Sequence, residues 1–327
     1  MKVLVTGSTG FIGSHLVELL IKNGHEVRCL IRKTSSLDWL KGLPVQYMEG
    51  DLFDLAALRS AVEGVGFVYH SAGLTKAKTE EEYFRANVTG TRNLLEAVRE
   101  VSPGLSRFVL VSSQTAVGPS PTITPIIEEA SPHPITSYGR SKLKAEEACI
   151  SLASSLNITI CRLPAVYGPR DRDIFEFFHT MSMGLQPVVG FRDKYVSLIH
   201  VRDVVRGLVL AAESTRAIGQ TYFVGSKDIY NWRDVGNTTK EVLRKSAFRL
   251  RIPEAGVYMI AGVAEVMAKF SPKPALINFE KARDMVQDYW TCDSSKARRD
   301  FGYEQEVSLE EGVRDTVSWY KTMGWLK

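Results

Sequence analysis

The chain has 327 residues, 44% of them hydrophobic and 24% charged, with a formal net charge of +4. That length suits one large domain or two lobes, and the composition excludes a disordered or fibrous chain. Acids and bases are interspersed, so neither a nucleic-acid groove nor a cationic membrane patch is expected.

In chain order, "KVLVT" reads as a buried strand with no charged leader before it. The helix "FIGSHLVELLIKNG" follows and stops at Gly24, as a C-cap requires. Further strands are "EVRCLIR", "VQYMEGD", "GFVYHSA", "RFVLVSS" and "ITICRLP". Helical patterns lie between them, at residues 55–62, 79–101 and 137–156. Strands separated by helices imply parallel pairing with right-handed crossovers, hence an α/β fold with a Rossmann-type doubly wound sheet. After Pro164 the rhythm loosens into the loops "VYGPRDRD", "GLQPVVG" and "SPKP". "YVSLIHVRDVVRGLVLAAE" is expected to return to the sheet as a strand and a helix, and the remainder to form a smaller, mostly helical lobe. The division expected is 1–165 with 196–225 for dinucleotide binding, and 166–195 with 226–327 for substrate. "AGVYMIAGVAEVMAKF", from Ala255, is short for a membrane span, contains Glu265, and reads as a buried or partly exposed helix. Cys29, Cys149, Cys161 and Cys292 form no CxxC pair, so neither disulfides nor zinc is expected, and a cytoplasmic location follows.

"VTGSTGFIG" sets Gly7, Gly10 and Gly13 between the first strand and first helix. Glycines there allow a tight turn and close approach of backbone to a pyrophosphate held at the positive helix end. A turn that merely packs helix on strand is the plainer alternative, but the strand–turn–helix context favours dinucleotide binding. At the tip of the second strand an acid would bond the ribose of NAD. This chain has Ile31, Arg32 and Lys33 instead, which favours the 2′-phosphate of NADP over NAD, although cations are common at solvated strand ends. Asp51 and Leu52, after the third strand, make a polar–apolar pair suited to adenine.

"YGRSK" puts Tyr138 and Lys142 on one helical face, where an ammonium favours phenolate and prepares an acid/base. Such a pair occurs by chance on exposed helices, so it needs a hydroxyl to polarise a carbonyl. Ser112 and Ser113 in "LVSSQTAVG" lie at the carboxyl end of the fifth strand, where doubly wound folds place ligands. Strand-end capping is the ordinary alternative for both.

With these motifs in order, the chain resembles the extended branch of the short-chain dehydrogenase/reductase superfamily, the NAD-dependent epimerase/dehydratase proteins. The resemblance spans nearly the whole length: "TGSTGFIG", "GDLFD", "HSAGLT", "NVTGTRNLLEA", "VSSQTAVG", "YGRSK", "RLPAVYGPRDRD", "IHVRDV" and "DSSKARRDFGY". It implies Ser113, Tyr138 and Lys142 as the catalytic set, with Ser113 bonding the substrate oxygen and Lys142 orienting the ribose and lowering the tyrosine pKa. It also implies a cofactor site made of Gly7, Thr9, Gly10, Phe11, Ile12, Gly13, Arg32, Lys33, Asp51, Leu52, Ser71, Ala72, Gly73, Asn87, Val111, Ser112, Tyr138, Lys142, Leu163, Pro164 and Val166. A homodimer through two helices of each chain is implied as well.

Departures from pattern narrow the chemistry. Where nucleotide-sugar dehydratases carry Thr-Asp-Glu, this chain has Ser113, Gln114 and Thr115, so water elimination lacks its proton carriers. Where epimerases carry asparagine after the sixth strand, Ala165 stands, and Tyr195, Val196 and Ser197 replace their usual arginine strand, with Arg192 and Lys194 nearby. "RLPAVYGP" with "IRKTSS" looks more like the dihydroflavonol-reductase and 3β-hydroxysteroid-dehydrogenase neighbourhood. Phe175, Phe177, Phe178, Met181 and Met183 suit either an apolar cleft or plain core packing. His133, His179 and His200 share no ligand spacing and read as loop or capping residues, so no metal is expected. The expectation is an NADP-preferring oxidoreductase acting on a ketone or secondary alcohol of a small, rather apolar molecule. A nucleotide-sugar epimerase is the second reading, and a dinucleotide-binding protein without turnover the third.

Overall fold

The computed structural model describes residues 1–268, 270, 275 and 277–327. The "SPKP" loop expected at 271–274 lies outside the described residues.

β1 (Lys2–Thr6), α1 (Phe11–Lys22), β2 (Glu26–Ile31), β3 (Val45–Glu49), α2 (Leu55–Val62) and β4 (Phe67–His70) open the chain. α3 (Glu80–Phe84) and α4 (Gly90–Val101) form one rod, joined by a single π-helical turn at Arg85–Thr89. β5 (Arg107–Ser113), α5 (Ser137–Ile150) and β6 (Ile158–Leu163) complete the repeating part. The expected helix at 137–156 ends early: the Ser151 cap leads into turns, and Leu156 closes back on Leu152.

Then come β7 (Ala165–Tyr167), α6 (Phe175–Ser182), β8 (Leu185–Val189), β9 (Tyr195–His200), α7 (Val201–Glu213), β10 (Gln220–Phe223), β11 (Ile229–Asn231) and α8 (Trp232–Leu243). β12 (Phe248–Ile252), α9 (Glu254–Ala268), α10 (Phe279–Met285), β13 (Tyr289–Trp290), α11 (Ser295–Phe301) and α12 (Leu309–Thr322) follow.

The central sheet runs β10-β6-β5-β4-β1-β2-β3, all parallel. Six of these strands have the doubly wound order, and β10 extends one edge. Such strands are buried on both faces, which explains their continuous apolar runs. One face buries Leu16, Val17, Leu20, Val204 and Leu208 from α1 and α7 against the sheet. The other buries Leu58, Leu94, Val98 and Cys149 from α2, α4 and α5.

The expected return of 196–225 to the sheet holds for α7 and β10 and fails for β9. β9 instead pairs with β7, β11 and β13 in a second sheet. This small sheet, with α6, α8 and α12, surrounds its own cluster of Tyr167, Phe178, Met181, Val235 and Tyr320. β8 and β12 pair as a separate two-stranded ribbon. All four cysteines are buried thiols.

Candidate active site

Three glycines shape the turn after β1. Gly7 has φ +69°, and a Cβ there would stand 2.6 Å from the Ala72 nitrogen. A Cβ on Gly13 would meet the Gly7 carbonyl oxygen at 2.1 Å, so only glycine lets α1 settle onto the turn. Gly10 caps α1 without a side-chain hydrogen bond, and the first turn holds no acid. The N–H groups of Phe11, Ile12 and Gly13 therefore lie at a positive helix end that its own first turn does not neutralise, which suits an anionic pyrophosphate. Thr9 is half-buried beside them.

At the edge of this cradle, Arg32 and Lys33 follow β2 and are exposed. Lys33 lies 3.4 Å from Glu49 at the end of β3, whereas Arg32 has no carboxylate partner among the described residues. The backbone N–H of Arg32 donates to Ser35 Oγ at 3.1 Å, which shapes the loop beyond the strand. Asp51 commits one carboxylate oxygen to its own turn, accepting from the N–H groups of Phe53 (2.7 Å) and Asp54 (3.1 Å). Leu52 packs partly into the α2–α4 core.

The segment after β4 is fastened at both ends. Ser71 and Ala72 donate their N–H groups to the Thr6 carbonyl and hydroxyl. Buried Asn87, in the π-helical turn, accepts from the Leu74 N–H at 2.7 Å and donates to the Leu74 carbonyl (3.0 Å) and to Ser141 Oγ (2.9 Å). Its Oδ1 would lie 2.9 Å from a Cβ on Gly73. Asn87 thus locks the loop bearing Gly73 to the helix bearing Tyr138.

Thr136 caps α5, accepting from the Gly139 N–H, and so fixes where the helix begins and where Tyr138 projects. Ser113 ends β5; its hydroxyl accepts from the Thr115 N–H (3.2 Å) and hydroxyl (2.9 Å) and lies near enough to the Tyr138 phenol to favour its ionised form. Tyr138 keeps part of its surface open, yet burial pushes its phenol up to about 12. Ser113 works against that rise, while Asp173, Tyr83 and Asp284 add to it. Lys142, one turn on, is buried and donates to the Val111 carbonyl at 2.7 Å. Desolvation lowers its ammonium to about 8, with Glu146 opposing. Lys142, expected to depress the tyrosine, is not among the groups that shift the phenol here; its ammonium faces the strand backbone.

Ser112 goes elsewhere. Its buried hydroxyl donates to Glu146 Oε1 at 2.5 Å, and Glu146 forms a buried pair with Arg162 at 2.8 Å. Its side chain belongs to the scaffold behind the site, because successive strand residues face opposite sides. Leu163 is buried at the end of β6, Pro164 follows it, and Val166 lies in β7 against the main core. Phe175, Phe177, Phe178 and Met181 pack into the second cluster, among Trp232, Tyr320 and Trp325, and Met183 is exposed. Phe175, Phe177, Phe178 and Met181 thus serve core packing, whereas Met183 does not.

Sequence reasoning missed the neighbours of the phenol. Tyr83 sits with its ring centroid 6.0 Å from that of Tyr138. Asp173 pairs with Lys76 at 2.5 Å, and Asp284 pairs with Lys281 at 3.2 Å. α10 is held against the start of α5, where Glu280 accepts from the Ser137 N–H (2.7 Å) and hydroxyl (2.8 Å). These residues come from three distant segments and carry no motif. The groove of about 560 Å³ between α4 and α5, lined by Arg92, Glu96, Glu147 and Ser151, lies along the far end of α5 and not over Tyr138. His200 caps α7, His133 bonds the Pro119 carbonyl, and His179 stacks on Phe175.

Residues 3–225 match the model of the NAD dependent epimerase/dehydratase family. "Ceramide reductase" of Caulobacter vibrioides is 30% identical over 325 residues, covering 99% of this chain and 96% of that protein. "3 beta-hydroxysteroid dehydrogenase/Delta 5-->4-isomerase" of Mycobacterium tuberculosis is 28% identical over 345 residues, covering 98% and 91%. The crystal structure of UDP-glucuronic acid 4-epimerase from Bacillus cereus with UDP-glucuronic acid and NAD superposes with a TM-score of 0.78 at 25% identity, covering 99% of this chain and 100% of that one. A glycine turn between β1 and α1, Ser113 at the end of β5 near Tyr138 of α5 and a match over most of the length agree: the chain belongs to the NAD-dependent epimerase/dehydratase family, whose members are NAD-dependent oxidoreductases and epimerases.

Proposed function

We propose that the protein is an oxidoreductase that prefers NADP and interconverts a ketone and a secondary alcohol on a relatively apolar small molecule. The observation that carries this is the meeting of Ser113, at the carboxyl end of β5, with the Tyr138 phenol, and Lys142 one helical turn behind on α5. When bound, the nicotinamide supplies or accepts the hydride. Ser113 holds the substrate oxygen by its hydroxyl. Tyr138, protonated at neutral pH, donates its proton to the developing alkoxide, which is stabilisation of charge where it forms. Lys142 serves the ribose, exchanging its bond to the Val111 carbonyl for the sugar hydroxyls.

Three observations support a reductase over the epimerase reading. Arg192 and Lys194, the cations near the epimerase diphosphate position, are consumed inside the chain: Arg192 by Asp288 at 3.0 Å, Lys194 by Asp288 at 3.1 Å and Glu254 at 3.3 Å. Ala165 offers no hydrogen bond. Arg32, at the position that suits a 2′-phosphate, has no carboxylate partner among the described residues. The similarity to an epimerase holding NAD keeps the second reading in view. The same reading includes a nucleotide-binding lobe of 1–165 with 196–225, a substrate lobe of 166–195 with 226–327, a homodimer through α4 and α5, and a cytoplasmic location suited to four buried thiols.

NADPH and NADH consumption over a panel of ketones tests the proposal, beside a thermal-shift panel of UDP- and GDP-sugars. NADPH-dependent reduction with no sugar-nucleotide shift is expected. A shift with sugar nucleotides and retained NAD would replace the reductase by the epimerase.

A further inference from the structure

α9 is inverted relative to an ordinary surface helix. Met259 (70%), Val263 (62%), Val266 (56%) and Met267 (68%) are exposed, Ile260 lies between them, and Phe270, just beyond the helix, is 89% exposed. Their spacing is that of one continuous helical stripe. The two acids of the helix turn toward the protein: Glu254 bonds Lys194, and Glu265 accepts the Phe279 N–H at 2.8 Å. Among the described residues the stripe therefore carries no charge. Solvated helices place charge outward, and contiguous apolar patches of this kind mark interaction surfaces.

The patch continues along the chain into β12. Ile252 joins the cluster beneath α9, and the residues alternating with it on that strand face, Phe248 (72%) and Leu250 (42%), are exposed. Arg244 and Lys245, just before the strand, and Arg249 and Arg251, which alternate with its apolar residues and so project from its other face, are exposed, and none has a carboxylate partner among the described residues. Arg251 lies over the ring of Phe191, itself 72% exposed. Exposed apolar side chains beside cations that no carboxylate neutralises among the described residues complement an anionic bilayer surface, where apolar groups enter the headgroup boundary and cations meet phosphates. The patch also abuts the site: α10 packs on α9, with the Tyr258 and Phe279 rings stacked at 6.4 Å, and reaches α5 through Glu280.

We infer that α9 and β12 form a peripheral docking face for anionic lipid membranes, lying in the interface without crossing it. Among the described residues no helix is long and apolar enough to cross. Binding is read without turnover, so it stands or falls separately from the redox reading.

The test is co-sedimentation of the full chain with vesicles of equimolar phosphatidylcholine and phosphatidylglycerol, and with phosphatidylcholine alone. The chain is expected to pellet with the anionic vesicles, and less as salt rises. The double variant V263E/M267E is expected to bind about a hundredfold more weakly with unchanged thermal melting. R244E/R251E should lose the preference for anionic lipid. A chain that stays in the supernatant with anionic vesicles overturns the proposal, as does V263E/M267E binding as well as the parent. A parent that binds no vesicle but elutes as a dimer split by V263E/M267E overturns it too, assigning the face to a second copy.

Discussion

The Nζ of Lys142 donates to the carbonyl oxygen of Val111 at 2.7 Å, inside the chain and away from water. An ammonium so placed is expensive. Its fall from 10.5 to about 8 corresponds to ~3 kcal/mol of disfavoured charge. Between about pH 8 and 10.5 the folded chain binds fewer protons than the unfolded one, so this group makes stability rise with pH across that window. K142M should melt higher than the parent at pH 7, with the gap closing toward pH 10.5, and it should lose turnover. Melting curves at several pH values check the sign; a gap that widens with pH would be contrary to it.

Tyr138 is set for acid work. Burial pushes its phenol up to about 12, so ketone reduction should show no loss from its deprotonation below about pH 10. Y138F should lower kcat for reduction by at least ~1000-fold while leaving NADPH affinity nearly intact. Cofactor titration by fluorescence, beside turnover, separates the two effects. Turnover surviving in Y138F would remove the phenol from the reaction.

Much of this architecture is legible in the amino-acid sequence. The main strands and α2 follow from continuous apolar runs, and the glycine turn declares itself because Gly7 and Gly13 sit where no Cβ fits. The second sheet does not declare itself. β7 and β11 have three residues each and β13 two, too short for any periodicity to register. β9 reads as a strand feeding α7 in the ordinary crossover manner, and its departure depends on partners distant in sequence. Phe175 and Phe178 are equally consistent with cleft and core by sequence, since burial is a property of what packs opposite. The charges about Tyr138 are hidden for the same reason: Lys76, Asp173, Lys281 and Asp284 meet only when α10 docks on α5.

Arg32 and Lys33 differ in what they have to spare. Arg32 lacks a carboxylate partner among the described residues, while Lys33 is 84% exposed and shared with Glu49. R32S should raise the KM for NADPH by about 10- to 100-fold, the range of a lost charge-assisted bond, and leave that for NADH unchanged. K33S should have a smaller effect. Equal losses for both cofactors would place Arg32 outside 2′-phosphate recognition.

Gly13 has no room for a methyl group. A Cβ 2.1 Å from the Gly7 carbonyl oxygen forces α1 off the turn, and overpacking of this kind costs about 1–3 kcal/mol. G13A should therefore melt lower and lose dinucleotide affinity together. G24A, at an open C-cap with nothing within 4 Å, should lower stability with no effect on binding, because only the φ of +80° is strained. Calorimetric titration of NADPH against both variants distinguishes the cradle from a general glycine effect.

The Ser112–Glu146–Arg162 network lies behind the site and not in it. Glu146 is 1% and Arg162 8% exposed, so removing either leaves a buried charge alone, at a cost of about 3–5 kcal/mol. E146A should destabilise by that amount and, by removing the one carboxylate that supports the Lys142 ammonium, lower the lysine pKa further. Cofactor affinity should then fall off at a lower pH than in the parent. S112A loses only the hydroxyl donor to Glu146 and should lower melting modestly with unchanged KM for either cofactor. A KM change in S112A at constant melting would return Ser112 to the cofactor's own contacts.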